Sequence, residues 1–429
     1  MVASRLKRSR FRTPTFLLRW QGGKSRGRAY TSVGIFIVSI AVLLLCAPSR
    51  FAQHSAPLAT AFLGGTELEA AEFTALKQGE PIIRLLPVSD SREIAVYGLV
   101  GVHVPSQMFL QSFRDSLTSR SNSAILEIGR FSNAPTIDDL RTLTMESRDI
   151  EDLKQCVVGD CQLKLSASMI ERFRKEVDWR APDYASQANQ LFKVMLLEYV
   201  QNYLRAGDRA LIEYGDKPGE VRLADEQRSL FEASRSFDNV LPQSPKGVKN
   251  ISGPELSLVE DAIVWSKIKF GLKPVLAINH VLIYQRAQEV GPQILIASSQ
   301  IYANHYFDSS LALTTFIRNP GPGHESYLVY ENRSRVDGLG GMFGKLKRGI
   351  IEREAVASLK TILQQTRINL SATAQSPDGG NSPLPERRWR RWKIGGIHIF
   401  FWFSWITIIV ALALLTYQRM ARIPQGTHR

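Results

Sequence analysis

Two uncharged apolar runs lie near the two ends of the chain. Residues 31–47 carry no charged side chain over 17 positions, and residues 394–417 carry none over 24 positions. A helix that crosses the ~30 Å hydrocarbon core of a membrane needs about 20 apolar residues. The pattern therefore predicts two transmembrane helices. A buried core helix is the alternative for either run, and a cleaved signal peptide is a further alternative for the first.

Between these runs, hydrophobic residues recur at strand spacing, then at helical spacing, then at strand spacing again. Residues 93–104 alternate in the way that predicts a half-buried strand, and residues 147–261 have a mostly helical pattern. Four further strands are predicted over 275–285, 293–301, 311–318 and 327–336. An amphipathic stripe predicts a long helix over 345–367. Because the connections between consecutive strands are short, an antiparallel sheet is favoured.

The predicted fold class is α+β: an antiparallel sheet with a long C-terminal helix and a helical insertion, flanked by two transmembrane helices. This prediction divides the chain into eight parts. They are a basic tail (1–30), a transmembrane helix (31–47), the first part of the α+β domain (62–146), the helical insertion (147–261), the second part of that domain (262–370), a linker with a basic, tryptophan-containing segment (371–393), a second transmembrane helix (394–417) and a short tail (418–429).

Charge is unevenly distributed over the 429 residues, whose 54 Lys or Arg and 40 Asp or Glu give a formal charge of +14. Residues 1–30 carry nine basic side chains and no acidic one, and residues 386–393 carry five basic and one acidic. Without these segments and the tail 419–429, the rest of the chain sums to −2. The excess charge therefore flanks the apolar runs, which indicates membrane lipids as partners and excludes a nucleic-acid-binding domain as its cause.

The basic tail also predicts an orientation. Positive charge stays on the cytoplasmic side, so both termini would be cytoplasmic and the main domain periplasmic or extracellular. The basic cluster at 387–393 opposes this orientation, because it would then lie on the outer side of the second span.

The three cysteines give a structural prediction. Cys46 lies in the first apolar run, whereas Cys156 and Cys161 enclose the turn-forming sequence Val-Val-Gly-Asp. Two cysteines on a tight turn form a disulfide in an oxidising compartment; free thiols and half of a zinc site are the alternatives. The chain has no second Cys or His pair with ligand spacing, and residues 338–345 lack the pattern of a phosphate-binding loop. We therefore expect neither a metal nor a cofactor.

The order of a strand, a proline, short helices, further antiparallel strands and a long final helix resembles the helix-grip fold of START-like and polyketide-cyclase-like proteins. The resemblance rests on residues 77–115, KQGEPIIRLLPVSDSREIAVYGLVGVHVPSQMFLQSFRD, and on the strand and helix pattern of residues 274–367. It covers about half of the region between the apolar runs. It implies a curved sheet around the last helix with an apolar cavity between them, a shape that this family uses for lipids and other hydrophobic ligands.

One candidate ligand-binding cluster lies in residues 302–308. Tyr302, His305, Tyr306 and Asp308 bring an imidazole, two phenols and a carboxylate into seven positions. They could form a polar patch at the mouth of a pocket; the alternative is an aromatic strand end with satisfied hydroxyl groups.

A second candidate cluster consists of Asn332, Arg333 and Arg335. Arginines at positions i and i+2 share one face of a strand and could bind a carboxylate or phosphate group through paired hydrogen bonds. The alternative is an internal ion pair, for instance with Glu331 or Asp337. His280 is a third candidate, and for it a hydrogen-bonded core histidine is the alternative.

The expected function is a membrane-anchored extracytoplasmic protein that binds a lipid or another hydrophobic small molecule in a helix-grip-like cavity. An enzyme is the less favoured class, since the zinc-protease motif H-E-x-x-H is absent from the sequence. If the chain were an enzyme, His305 with Asp308 and Arg333 with Arg335 would form its site. A third possibility is a structural or scaffolding protein that binds a protein partner through residues 147–261, which predicts an exposed apolar patch there.

Overall fold

The structure, a computed structural model, describes residues 68–118, 125–234, 256–269, 273–286, 291–318, 326–339 and 344–374. Its helices in chain order are α1 (Ala70–Lys77), α2 (Ser106–Ser116), α3 (Ser147–Leu153), α4 (Ala167–Glu176), α5 (Tyr184–Ala206), α6 (Leu223–Ala233) and α7 (Gly344–Ala374). Its strands are β1 (Ile82–Leu85), β2 (Glu93–Val102), β3 (Ile125–Arg130), β4 (Glu213–Tyr214), β5 (Val221–Arg222), β6 (Leu256–Ile268), β7 (Val275–Arg286), β8 (Gly291–Ala303), β9 (Phe307–Arg318) and β10 (Ser326–Val336).

Eight of these strands form one sheet in the order β1-β2-β10-β9-β8-β7-β6-β3, and every neighbouring pair is antiparallel. The five consecutive strands β6 to β10 are each hydrogen-bonded to the next, as their short connections favour. The earlier strands β2 and β3 flank this series on its two sides. β4 and β5 form a separate two-stranded ribbon.

One face of the sheet packs against α7 and α2. Ile351, Leu359 and Leu363 of α7 are buried against this face, and Phe109 of α2 stacks on Phe316 of β9 with ring centroids 5.0 Å apart. A Cβ atom at Gly98 of β2 would lie only 2.6 Å from Leu363 Cδ1 and 3.0 Å from Leu359 Cδ2. Leucine side chains of α7 therefore fill the space over Gly98, where the helix-grip resemblance implied an apolar cavity.

The opposite face is covered by the helical subdomain, by which we mean residues 137–233. Trp265 of β6, Ile278 of β7 and Tyr302 of β8 are buried in one cluster with Phe173 of α4 and Phe192 of α5. Tyr203 of α5 adds a hydrogen bond between its hydroxyl and His280 Nδ1, over 2.9 Å. The sheet is thus the middle layer of three.

The helical pattern of residues 147–261 corresponds to α3 to α6, but it overlaps a strand that the sequence analysis did not predict. β6 begins at Leu256, well before the predicted return to strands at 275. Glu260 and Asp261 interrupt the hydrophobic alternation of β6, and the sequence pattern therefore did not predict a strand there. Both carboxylates are paired: Glu260 with Arg114 and Arg130, and Asp261 with His280.

The prediction of a fold flanked by two transmembrane helices is corrected. In the described ranges, no helix is long and apolar enough to cross a membrane. The longest, α7, has 31 residues, but the stretch 345–354 alone carries six charged side chains, and such charges are costly in a lipid core. The predicted spans, residues 31–47 and 394–417, lie outside the described residues. The predicted membrane localisation, with its signal anchor and its periplasmic or extracellular domain, depended on these spans and is corrected as well.

We expect Gly98→Ala to destabilise the fold by about 1–3 kcal/mol, because its methyl group would overlap Leu363 and force α7 away from the sheet. Urea denaturation of the full chain measures this difference. Gly349→Ala is the matched control within α7, where an added Cβ meets no atom within 4 Å, and we expect it to stabilise by about 0.5–1 kcal/mol through helix propensity. Equal stability of the Gly98→Ala variant and the wild type would contradict the close packing of α7.

Candidate functional site

A cleft of about 830 Å³ opens in the helical subdomain. Four segments line this subdomain cleft: the turn before α4, the start of α4, the second half of α5 and the β4–β5 ribbon. Its lining includes three apolar residues and three charged ones: Val158, Met169, Met195, Glu198, Arg205 and Lys217. None of these six was a candidate in the sequence, because they belong to separate elements within residues 158–217 that come together only on folding.

One wall of the cleft is the disulfide turn, residues 156–161. Cys156 and Cys161 form a disulfide with their Cα atoms 4.5 Å apart. Gly159 adopts a positive φ of 85°, a conformation that favours glycine. At the tip of the turn, Val157 and Val158 remain 42% and 47% exposed although both are apolar. The turn therefore presents a small apolar surface beside the cleft.

Backbone hydrogen bonds fix the disulfide turn to the segment after β4. Gly159 N–H donates to Gly215 O over 2.8 Å, and Cys161 N–H donates to Asp216 O over 2.9 Å. Gly215 itself lies close to α4, since a Cβ there would be 3.1 Å from Ala167 N. The wall of the cleft is consequently a continuous backbone contact between three segments.

The floor of the cleft is attached to the sheet by two tyrosines. Tyr199 of α5 donates its hydroxyl hydrogen to Ile301 O over 2.5 Å, and the same oxygen accepts from Ile212 N–H over 3.3 Å. The hydroxyl of Tyr214 accepts from Ala303 N–H over 3.0 Å. Burial raises the pKa of both phenols, which keeps them neutral.

The rim of the cleft carries charges of both signs. Arg172 pairs with Glu198 over 2.6 Å, and Lys217 pairs with Asp337 at the end of β10. Arg205 and Glu220 make no ion pair with any residue that the structure describes. A ligand with apolar groups and charges of its own would suit this lining better than a purely hydrocarbon one.

Beneath the cleft, a buried lysine joins the subdomain to the sheet. Lys164 Nζ lies 2.9 Å from Asp308 Oδ1 and 3.9 Å from Asp216 Oδ1, and it sits 4.4 Å over the ring of Tyr214. Arg92 reaches the other oxygen of Asp308 over 3.2 Å. Burial raises the pKa of Asp216, and the positive charge of Lys164 only partly opposes that rise. The charge of Lys164 is therefore matched mainly by Asp308.

The predicted arginine cluster belongs to the same system of ion pairs. Arg333 binds Glu93 and Glu331, each over 2.7 Å, and Arg335 pairs with Glu226 of α6. All five side chains are buried or nearly so. The guanidinium groups that could have held a ligand thus hold carboxylates of the chain itself.

Asn332 lies on the opposite face of β10 from these arginines and donates to Ser310 Oγ and to Leu311 O, each over 3.3 Å. Tyr302 donates its hydroxyl hydrogen to Lys164 O over 3.1 Å. The hydroxyl of Tyr306 accepts from Lys273 N–H over 3.2 Å, and the backbone of Tyr306 has a positive φ of 60°. These polar groups form internal hydrogen bonds.

Each of the two candidate histidines is bonded to a carboxylate. His305 Nε2 lies 3.0 Å from Asp149 Oδ2, and Lys273 lies 3.0 Å from the other oxygen of Asp149. Burial would raise the pKa of Asp149, but the hydrogen bonds and charges of His305 and Lys273 lower it below its ordinary value. His280 is hydrogen-bonded through Nε2 to Asp261 over 2.7 Å and through Nδ1 to the hydroxyl of Tyr203 over 2.9 Å.

The structure therefore brings Asp308, Arg333 and Arg335 into one ion-pair system and places His305 and His280 in two separate contacts. Among the residues that the structure describes, no group of three or more His, Cys, Asp or Glu side chains could hold a metal ion.

No family model, no curated protein and no solved structure matches this chain. The resemblance to helix-grip proteins therefore stays a prediction.

Two substitutions beside Lys164 should act in opposite directions. We expect Asp308→Asn to destabilise by about 3–5 kcal/mol, because it leaves Lys164 and Arg92 short of a buried counter-charge. Asp216→Asn should leave stability at pH 7 unchanged or raise it, because burial disfavours this carboxylate and Lys164 keeps Asp308. Urea denaturation of both variants at pH 7 tests the pair. A larger loss of stability for Asp216→Asn than for Asp308→Asn would refute the conclusion that Asp308 is the main counter-charge of Lys164.

Asp149 predicts a pH dependence. Its pKa is lower in the folded chain than in the unfolded chain, where an aspartate side chain has a pKa of about 3.9. Its contribution to stability is therefore present above that pH and is lost as the pH falls through the folded value. We expect Asp149→Asn to be less stable than the wild type at pH 7 and the difference to shrink below about pH 4. Urea denaturation at pH 7, 5, 4 and 3 measures it, with Glu220→Gln as the control, because Glu220 is exposed and makes no ion pair with any residue that the structure describes. A constant difference across this range would contradict the lowered pKa.

Proposed function

We propose that this chain is a binding protein whose helical subdomain docks an extended segment of another protein in the subdomain cleft. The observation that carries the proposal is the position of Val157 and Val158, which remain exposed on a covalently closed turn at the edge of the cleft. An exposed apolar pair held rigidly beside a concave surface is typical of a site that a partner covers.

The side chains around the cleft support a peptide as the occupant. Val158 and the buried Met169 and Met195 offer apolar contacts, and methionine adapts to side chains of different shape. Glu198, Arg205 and Lys217 on the rim offer hydrogen bonds and charge. A protein segment supplies complements to both, since side chains alternate along an extended chain.

The charge of this region favours a basic partner. Residues 125–234 contain fifteen Lys or Arg and twenty Asp or Glu, a formal charge of −5. Opposite charge on the partner would speed its association, and that effect weakens as salt screens it. After association, apolar contact with Val158 would stabilise the complex.

The other two functions expected from the sequence receive less support from the contacts. Lipid binding requires room between α7 and the sheet, whereas Leu359 and Leu363 lie directly on Gly98. A site at His305, Asp308, Arg333 and Arg335 requires free polar groups, whereas each of these side chains is buried and bonded to another residue of the chain.

Selection of peptides from a random 12-residue display library on the full chain tests this proposal. We expect peptides that combine apolar and basic residues, and we expect Val158→Asp to weaken their binding by about tenfold or more, since it places a charge in an apolar contact. Ile368→Asp is the matched control, because Ile368 is a similarly exposed apolar residue, 56% accessible, on α7 at the other face of the sheet. Binding that the two substitutions reduce equally, or no selected peptide at all, would overturn the proposal.

A further inference from the structure

Two features close the disulfide turn on itself, and two hydrogen bonds join it to the rest of the cleft wall. The bond between Cys156 and Cys161 closes the turn, a backbone bridge pairs Val157 with Asp160 across it, and two hydrogen bonds attach it to Gly215 and Asp216. Val158 and Gly159 at its tip form part of the cleft lining. The position of this wall therefore depends on the closed form of the turn.

From these contacts we infer that binding in the subdomain cleft is under redox control, with the Cys156–Cys161 disulfide as the switch. This inference rests on the proposed function. In the oxidised form the turn holds Val158 in place before a partner arrives, so little conformational freedom is lost on binding. In the reduced form the turn is no longer closed covalently, and ordering it opposes binding.

The switching reaction needs a dithiol as reductant. One thiolate of the dithiol attacks a sulfur of the Cys156–Cys161 bond, forms a mixed disulfide and releases the other cysteine as a thiolate. The second thiolate of the dithiol then displaces the first cysteine. Two electrons pass to the chain, both cysteines take up a proton to become thiols, and the reductant leaves as a cyclic disulfide.

Burial of the sulfur atoms links this reaction to occupancy of the cleft. Cys156 and Cys161 are only 3% and 7% exposed, so the turn must lift before a thiolate reaches them. A segment seated on Val158 would hold the turn down. By thermodynamic linkage, a partner that prefers the oxidised form must in turn make that form harder to reduce.

The test uses the full chain with Cys46→Ser, so that Cys156 and Cys161 are its only cysteines. Peptide affinity is compared for three forms of this chain: the oxidised protein, the protein reduced with dithiothreitol, and the variant that combines Cys156→Ser with Cys161→Ser. The probe is the highest-ranking peptide from the selection on the oxidised chain. We expect its dissociation constant to rise about tenfold or more in the reduced and double-serine forms, and we expect bound peptide to slow reduction.

Hydrogen exchange separates a local switch from general unfolding. The amides of Gly159 and Cys161 should exchange about tenfold faster after reduction, whereas those of β7 should stay protected. If the double-serine variant does not fold, the reduced Cys46→Ser chain provides the same comparison.

The outcomes distinguish this inference from the function on which it rests. Equal affinity of the oxidised and reduced chains overturns the inference and leaves the proposed function standing. Loss of protection in β7 on reduction also overturns it, because the disulfide would then stabilise the whole fold and not the turn. Failure to select any peptide on the oxidised chain overturns the proposed function itself.

Discussion

The buried ion pair between Lys164 and Asp308 is the contact on which the joint between the helical subdomain and the sheet depends. Lys164 precedes α4 and Asp308 lies in β9, and both side chains are only 5% exposed. Removing one partner from such a pair leaves a buried charge uncompensated, which costs several kcal/mol. Neighbouring residues bind the other polar atoms of this pair. Arg92 binds the second oxygen of Asp308, and Tyr302 donates to the carbonyl of Lys164. The orientation of the subdomain on the sheet is therefore specified by polar geometry as well as by apolar burial.

The ion pairs extend from this joint across one face of the sheet. Arg92 contacts Glu226 as well as Asp308, and Arg335 contacts Glu226 and reaches toward Glu93. This series ties α6 to β9, β10 and the start of β2. On the other face, direct packing of α7 on Gly98 takes the corresponding role. The central sheet is thus held by charge pairing together with apolar packing on one side and by close leucine contacts on the other.

The subdomain cleft depends on this rigid base. Its floor is tied to β8 through Tyr199 and Tyr214, and its wall is tied to the segment after β4 through the disulfide turn. The two exposed valines belong to this fixed wall, whereas Arg205 and Glu220 on the rim make no ion pair with any residue that the structure describes. A preformed concave surface with an adaptable rim loses little conformational freedom when a partner binds, which is the physical basis for placing the function there.

The sequence by itself determined the local elements. Period-two alternation located β7, β9 and β10, and the amphipathic stripe located α7, because these signals depend on neighbouring residues alone. For the same reason, β6 was not predicted, because the adjacent charged residues Glu260 and Asp261 interrupt its local alternation. Only the tertiary structure decided what the polar residues do. Arg333 pairs with Glu93, which lies 240 positions away in the sequence, and His305 pairs with Asp149, which lies 156 positions away. No local pattern could therefore distinguish these internal contacts from ligand binding. The cleft, assembled from four separated segments, likewise exists only once the chain has folded, although the spacing of Cys156 and Cys161 had already marked the turn that forms its wall.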